Sequence, residues 1–383
     1  AVVEPAARLH LGNPFLDRSV VGSWWWTVDR WTLVAVGLLV VMGGVMVLAA
    51  SPAIAARLNL DNFHFVRRQF MYLPMAAMII FAISLLSPLW VRRLAVVSFG
   101  VFSLLTIATL LVGPEVKGAH RWLQFGSFTL QPTEFLKPSF AVVAAWMFAE
   151  QRRSDEIPGN LISILLFVFV ISLLLLQPDV GMTLLVSAVW FVQFFLAGLP
   201  IIWVVMFVVV GIVSAAAAYS LFPHVASRVD RFLDPSGGGN YQIERAMEAF
   251  QTGGFLGVGP GDGSVKRQLP DAHTDFIFAV LGEEFGVVVC LLVVAIFAFI
   301  VLRGFSRLLE EKNFFVVLAA AGLLTQFGLQ AVVNIGVNLR LMPTKGMTLP
   351  FISYGGSSMF ALALLMGMLL ALSRRRAGTG ELK

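Results

Sequence analysis

The run Asn160-Leu-Ile-Ser-Ile-Leu-Leu-Phe-Val-Phe-Val-Ile-Ser-Leu-Leu-Leu-Leu-Gln-Pro-Asp-Val-Gly181 decides the fold. From Asn160 to His224 the only charged residue is Asp179, which leaves room for three helices of the ~20 residues that a bilayer requires. Turn chemistry at Gln177-Pro-Asp-Val-Gly181 and Ala197-Gly-Leu-Pro200 divides them. Working outward, 58% hydrophobic residues, 33 Phe and 13% charged residues exclude a soluble globular chain.

The same rule places spans near 31–51, 70–89, 94–113, 134–150, 160–177, 182–198, 201–222, 275–302, 313–338 and 349–373. An all-α integral membrane fold of ten helices is therefore expected, residues 31–373, with a long outer loop over 223–274 between the seventh and eighth. Segments 1–30 and 374–383 are expected on the cytoplasmic side, because ten spans put both ends together and Arg374-Arg375-Arg376 follows the last one. Trp24-Trp25-Trp26 reads as an interfacial anchor, and nothing resembles a cleavable signal peptide.

With this topology Lys and Arg divide almost evenly between the two sides, but the outer cations are clustered. Lys117, Arg121 and Lys137 share one region; Arg228, Arg231, Arg245, Lys266 and Arg267 share the long loop. Such clusters suit an anionic ligand, or lipid headgroups and pairing with the acids of 223–275. The single Cys290 lies in an apolar span, and the His residues show no zinc-ligand spacing. The sequence identifies no cofactor, leaves a divalent cation unassigned and offers no nucleic-acid motif.

Within the long loop, Ile243, Met247 and Phe250 recur at helical spacing, predicting a short amphipathic helix on the membrane surface that Gly253-Gly254 stops. Gly254-Phe-Leu-Gly-Val-Gly-Pro-Gly-Asp-Gly263 lacks the features of a nucleotide-binding loop and reads as a flexible connection.

Two polar constellations carry candidate chemistry. In Leu269-Pro-Asp-Ala-His-Thr-Asp-Phe276 a polar loop enters an apolar helix, setting Asp275, with Glu283 and Glu284 beyond it, at bilayer depth. Asp275 reads either as a functional acid or as a helix N-cap, for which Thr274 is equally good. In Gln131-Pro-Thr-Glu-Phe-Leu-Lys-Pro138, Glu134 and Lys137 lie on one helix face, either as a boundary ion pair or beside a cavity, and Pro138 should disturb the helix.

Gln131-Pro-Thr-Glu-Phe-Leu-Lys137, Gln177-Pro-Asp-Val-Gly181, Leu269–Phe276 with Gly282-Glu-Glu284, and Pro343-Thr-Lys-Gly-Met-Thr-Leu-Pro-Phe-Ile-Ser-Tyr-Gly-Gly-Ser-Ser358 together resemble the motifs of the SEDS proteins of shape, elongation, division and sporulation. The blocks occur in the family's order along the chain, and the last is more similar to the division members than to the elongation members.

The resemblance implies a ten-span peptidoglycan glycosyltransferase that polymerises lipid II on the outer face of the bacterial cytoplasmic membrane, at the division septum. A hydroxyl nucleophile and a polyprenyl diphosphate leaving group call for one carboxylate base and several cations. It implies Asp275 as general base, with Glu134 and Lys137 as its catalytic companions. Arg121, Arg228, Arg231, Lys266, Arg267, His273 and Lys345 are candidates for diphosphate or glycan contact. Implied partners are lipid II, the nascent glycan, a class B penicillin-binding protein acting as the division transpeptidase, and other division proteins. A lipid II flippase and a non-catalytic scaffold are the rival readings; a flippase requires polar groups along a path through the bilayer, where these mid-span positions are nearly all apolar.

Three features call for local readings. Asp179 reads as fixing a helix junction, next to Met182 and Thr183 where many relatives have Thr first. Ser353–Ser358 reads as small residues for close helix contact. Arg340 stands where relatives commonly have a small residue.

Overall fold

The computed structural model describes residues 20–116, 118–126, 128–154, 156–198, 200–221, 226, 230, 241–343 and 346–374. Lys117, Arg228, Arg231 and Lys345, segment 1–19 and the tail from 375 lie outside the described residues.

Helices dominate: α1 Val20–Thr27, α2 Arg30–Arg57, α3 His64–Ser84, α4 Pro88–Val112, α5 Pro132–Arg153, α6 Gly159–Leu176, α7 Val180–Leu196, α8 Ile201–Leu221, α9 Tyr241–Gly253, α10 Ile277–Leu308, α11 Phe314–Asn338 and α12 Gly356–Leu372. A small hairpin, β1 Leu123–Phe125 and β2 Phe128–Leu130, pairs antiparallel before α5. Among the described residues, six helices, α2, α3, α4, α6, α10 and α11, are long and apolar enough to cross a membrane; α7, α12 and the Ile201–Val213 part of α8 are shorter apolar helices.

Helices α5 and α12 form the centre, and α12 is buried from Ala361 to Leu372, as a helix that is apolar all round requires. Its small residues let α3 come close: a Cβ on Gly367 would lie 2.8 Å from Ile83. By contrast Leu104, Leu165, Ile212, Leu291 and Leu302 point outward from the bundle, a lipid-facing pattern.

One expected span is two half-helices. Within α10, Gly286 adopts φ 78° and ψ 178°, which breaks the helical ladder. The glycine-rich segment fills the break: Val258 and Gly259 donate to the Glu283 and Glu284 carbonyls at 3.0 and 3.1 Å, while the amides of Val287 and Val288 donate to Gly254 and Phe255. A Cβ on Gly286 would lie 2.3 Å from the Phe255 carbonyl oxygen. The flexible connection expected here is thus an ordered strap, because a broken helix inside the bundle needs its freed backbone groups satisfied by protein. Helix α9 packs on α10 through Ile243, Ala246, Ala249 and Gly253, so its buried stripe is rotated from the expected Ile243–Met247–Phe250 line.

At the far end of α10, Arg303 grips Asp29 with two bonds of 2.9 Å, and Arg307 lies 3.2 Å from the same carboxylate. Burial raises the Asp29 pKa, but the bonds from Arg303 and Thr32 and the charge of Arg307 outweigh it and hold the carboxyl below its usual range. Nearby, Trp24 is buried and donates to Ser84 at 2.8 Å, while Trp25 and Trp26 are exposed. The tryptophan anchor is therefore split between bundle and surface.

Candidate active site

The Leu269–Phe276 and Pro343–Ser358 blocks, 74 residues apart at their starts, are stitched together. Ser353 Oγ donates to the Thr274 carbonyl at 2.5 Å, and the Tyr354 amide donates to the His273 carbonyl at 2.9 Å. Gly346 faces the acid: a Cβ there would lie 3.4 Å from Asp275 Oδ2. Asp275 itself is half-buried, one residue before the α10 cap position, which is Phe276. Thr274 Oγ1 turns back to the Asp271 carbonyl, and Asn338 Oδ1 accepts the Ala279 amide at 3.1 Å, so a neighbouring helix takes over part of the capping.

Glu134 and Lys137 are both buried, with Lys137 Nζ 3.0 Å from Glu134 Oε2 and 3.4 Å from Gln330 Oε1. Gln330 Nε2 donates to the Thr348 carbonyl at 3.1 Å, and Thr348 Oγ1 lies 2.6 Å from Ser358 Oγ. A recess beside Lys137 is lined by Phe140, Leu185, Val186, Val189 and Gln326. Helix α5 runs through Pro138 without interruption, contrary to the expected disturbance. The proline removes one backbone donor near the helix start, where few turns are at stake.

Other candidates separate by what their donors do. Lys266 is buried and its ammonium meets the Ala49 carbonyl at 3.0 Å, the Gly261 carbonyl at 3.1 Å and the Glu284 carboxylate. Its three donors are spent inside the fold, so its expected role as a ligand cation is corrected to a structural one. Glu283 accepts the Val265 and Lys266 amides at 2.7 and 2.9 Å, fixing the loop. Arg121 is likewise occupied at the α6–α7 turn, donating to the Gln177 and Pro178 carbonyls at 3.1 and 2.7 Å with Asp179 at 3.4 Å.

His273 is buried against the rings of Phe65, at 4.8 Å, and Tyr354. Burial lowers its pKa to about 4 despite the opposing charge of Asp271, so the ring is neutral at neutral pH and offers no cation to a diphosphate. Arg267 is exposed.

Asp179 caps α7 by accepting the Met182 amide at 3.1 Å, in line with the junction reading, and Thr183 Oγ1 returns to the Asp179 carbonyl at 2.8 Å. The departure at Met182 therefore leaves the turn complete. The serines of Ser353–Ser358 do more than pack: Ser357 Oγ accepts the Gln131 amide at 3.0 Å and donates to the Thr129 carbonyl, tying the hairpin to α12.

The sequence profile of the cell cycle protein family FtsW/RodA/SpoVE matches residues 30–378. The chain belongs to this family. Among FtsW/RodA/SpoVE relatives, the probable peptidoglycan glycosyltransferase FtsW of Caulobacter vibrioides is 46% identical over 94% of this chain and 93% of its own length. That of Tolumonas auensis is 36% identical over 92% and 95%. A chain of a peptidoglycan synthase complex, solved for the structural coordination of polymerization and crosslinking, superposes with TM-score 0.77 at 30% identity, covering 91% of this chain and 98% of that one. The Thermus thermophilus rod shape determining protein RodA gives 0.66 at 28% identity over 91% and 97%. Within the family the chain is most like FtsW.

Two parts of this FtsW-like site escaped the sequence reading. Gln326, Gln330, Asn334 and Asn338 form a buried amide stripe down α11, so one inner helix face is not apolar as expected. Their four-residue spacing is legible once α11 is taken as a helix, because i and i+4 share a face. The stripe is packed between helices, and α11 carries only apolar buried residues from Val316 to Leu324. The second is Arg68, a half-buried α3 cation whose charge acts on Tyr354, the ring that packs on His273; no sequence motif marks it.

Proposed function

We propose that the chain is a peptidoglycan glycosyltransferase that polymerises lipid II for septal wall synthesis, with Asp275 as general base. The observation that carries this reading is the buried network from Glu134 and Lys137 through Gln330 to Thr348, continued by Asn334 to the Asp275 backbone. Charged and amide groups are costly at bilayer depth and gather where a polar substrate is handled.

The Asp275 carboxylate removes the proton from the 4-hydroxyl of an N-acetylglucosamine unit. The oxygen forms its bond to C1 of the muramoyl sugar, and the bond from C1 to the diphosphate oxygen breaks, releasing undecaprenyl diphosphate with the electron pair. Lys137, already bonded to Glu134 and Gln330, orients Glu134 and supplies positive charge beneath the leaving group. Direct diphosphate contact falls to Arg267 and, outside the described residues, to Arg228, Arg231 and Lys345.

On this reading the chemistry works at the outer face of the cytoplasmic membrane, in a ten-span arrangement whose long loop follows the seventh span. The partner is a class B penicillin-binding protein, which crosslinks the strands made here. The nearest support for that pairing is the likeness to a chain of a complex joining polymerization to crosslinking.

The test is lipid II polymerisation by the full chain with its transpeptidase, wild type against Asp275→Asn at matched folding. Glycan from the wild type and none from the variant is expected. Equal product from both removes Asp275 as base, and no product from either returns the flippase and scaffold readings.

A further inference from the structure

We infer that Asn334 and Asn338 are positioning residues, an amide clamp through which α11 sets Asp275 against the Glu134–Lys137 pair; this rests on the glycosyltransferase reading above. Both side-chain amides donate to one acceptor, the Asp275 carbonyl oxygen, each at 2.9 Å. Their remaining donors are committed: Asn334 Nδ2 to the Met347 carbonyl at 2.6 Å, and Asn338 Nδ2 to the Asn334 carbonyl at 2.8 Å. Asn338 Oδ1 meanwhile receives the Ala279 amide at 3.1 Å. The two residues are buried at 1% and 0% exposure, where water cannot replace a lost bond.

The clamp acts where the backbone is least able to hold itself. Asp271 sits at φ 53°, and its carbonyl alone receives the amides of Thr274, Asp275 and Phe276. A left-handed non-glycine residue persists only when its surroundings over-determine it. The Asp275 backbone is thus held from two sides, by its amide in this turn and by the clamp on its carbonyl.

One helix carries both halves of the site. Gln330 meets Lys137, and eight residues later Asn338 meets the Asp275 carbonyl, a rise of about 12 Å along α11. Asn334 stands half-way, joining Asp275 to the Met347 carbonyl of the Pro343–Ser358 block. A rigid helix therefore ties the Asp275 backbone to the Glu134–Lys137 pair through residues one and two turns apart.

The experiment compares Asn334→Ala and Asn338→Asp with wild type and Asp275→Asn, in the full chain with its transpeptidase, reading kcat and KM for lipid II and the melting temperature of the complex. Asn338→Asp keeps an acceptor for the Ala279 amide while losing both donors, so it separates helix capping from the clamp. Each clamp variant is expected to lower kcat of the folded complex at least ten-fold with KM within two-fold, while the melting of Asn334→Ala stays within a few degrees of wild type and that of Asn338→Asp falls further because its carboxylate is buried. Values of kcat within two-fold of wild type overturn the assignment. So does a loss that follows melting temperature, or failure of both variants to fold, which marks the pair as structural. An active Asp275→Asn defeats the underlying reading instead, whatever the clamp variants do.

Discussion

Lys137 on α5 and Gln330 on α11 meet at 3.4 Å from Nζ to Oε1, while the same ammonium holds Glu134 at 3.0 Å. A buried ion pair on one helix is thereby tied to an amide on another. Removing Lys137 alone leaves a buried carboxylate uncompensated, at about 3–5 kcal/mol. Lys137→Met should therefore lower the melting temperature sharply. The double variant Glu134→Gln with Lys137→Met should recover most of that stability yet make no glycan. Thermal unfolding and lipid II polymerisation, read side by side, check both halves; polymerisation by the double variant would remove the pair from the chemistry.

Adjacent cations in the long loop should behave oppositely. Lys266 is enclosed with Glu284, whereas Arg267 is exposed. Lys266→Met is expected to cost about 3 kcal/mol or more of stability through the stranded Glu284 charge. Arg267→Ala should leave melting unchanged and raise KM for lipid II several-fold, more so at low salt. An Arg267→Ala enzyme with wild-type KM would remove it from diphosphate contact.

His273 supplies a pH signature of folding rather than of catalysis. Its folded pKa of about 4 lies below the ordinary value of 6.5, so the unfolded chain takes up the proton first. The stabilisation is complete above pH 6.5 and is lost as pH falls toward 4, by about 3 kcal/mol in all. His273→Phe should flatten the stability curve across that window. Denaturation at stepped pH measures it, and an unchanged slope in the variant would contradict the buried neutral ring.

Arg340 occupies a left-handed position, φ 59°, just past the end of α11. The Leu341 amide reaches the Gly336 carbonyl at 2.7 Å and the Arg340 amide reaches Val337 at 3.1 Å, the bond pattern of a helix ended by glycine. That geometry accounts for a small residue in relatives. Arg340→Gly should raise stability by about 1 kcal/mol with polymerisation unchanged. A fall in activity would show that the guanidinium itself serves the substrate.

Most of the long apolar helices were legible from hydropathy, because a bilayer demands long uninterrupted apolar runs and charges interrupt them. The Glu134–Lys137 pair was legible too, since three-residue spacing puts both on one face wherever the helix lies. Asp179 as a junction residue followed from turn chemistry local to its own segment.

Tertiary structure decided the rest, for reasons that local sequence does not carry. The break at Gly286 is stable only because a strap more than twenty residues earlier satisfies its carbonyls. Lys266 and Arg267 are neighbours with the same charge, and only packing buries one and exposes the other. His273 lost its charge to the rings of Phe65 and Tyr354, which come from distant parts of the chain. The Asp275 carbonyl found its donors on α11, some sixty residues away. Sequence fixes which groups the chain owns and their spacing on each helix; which of them meet is settled by how helices pack, since a buried polar group must find its partner wherever the fold provides one.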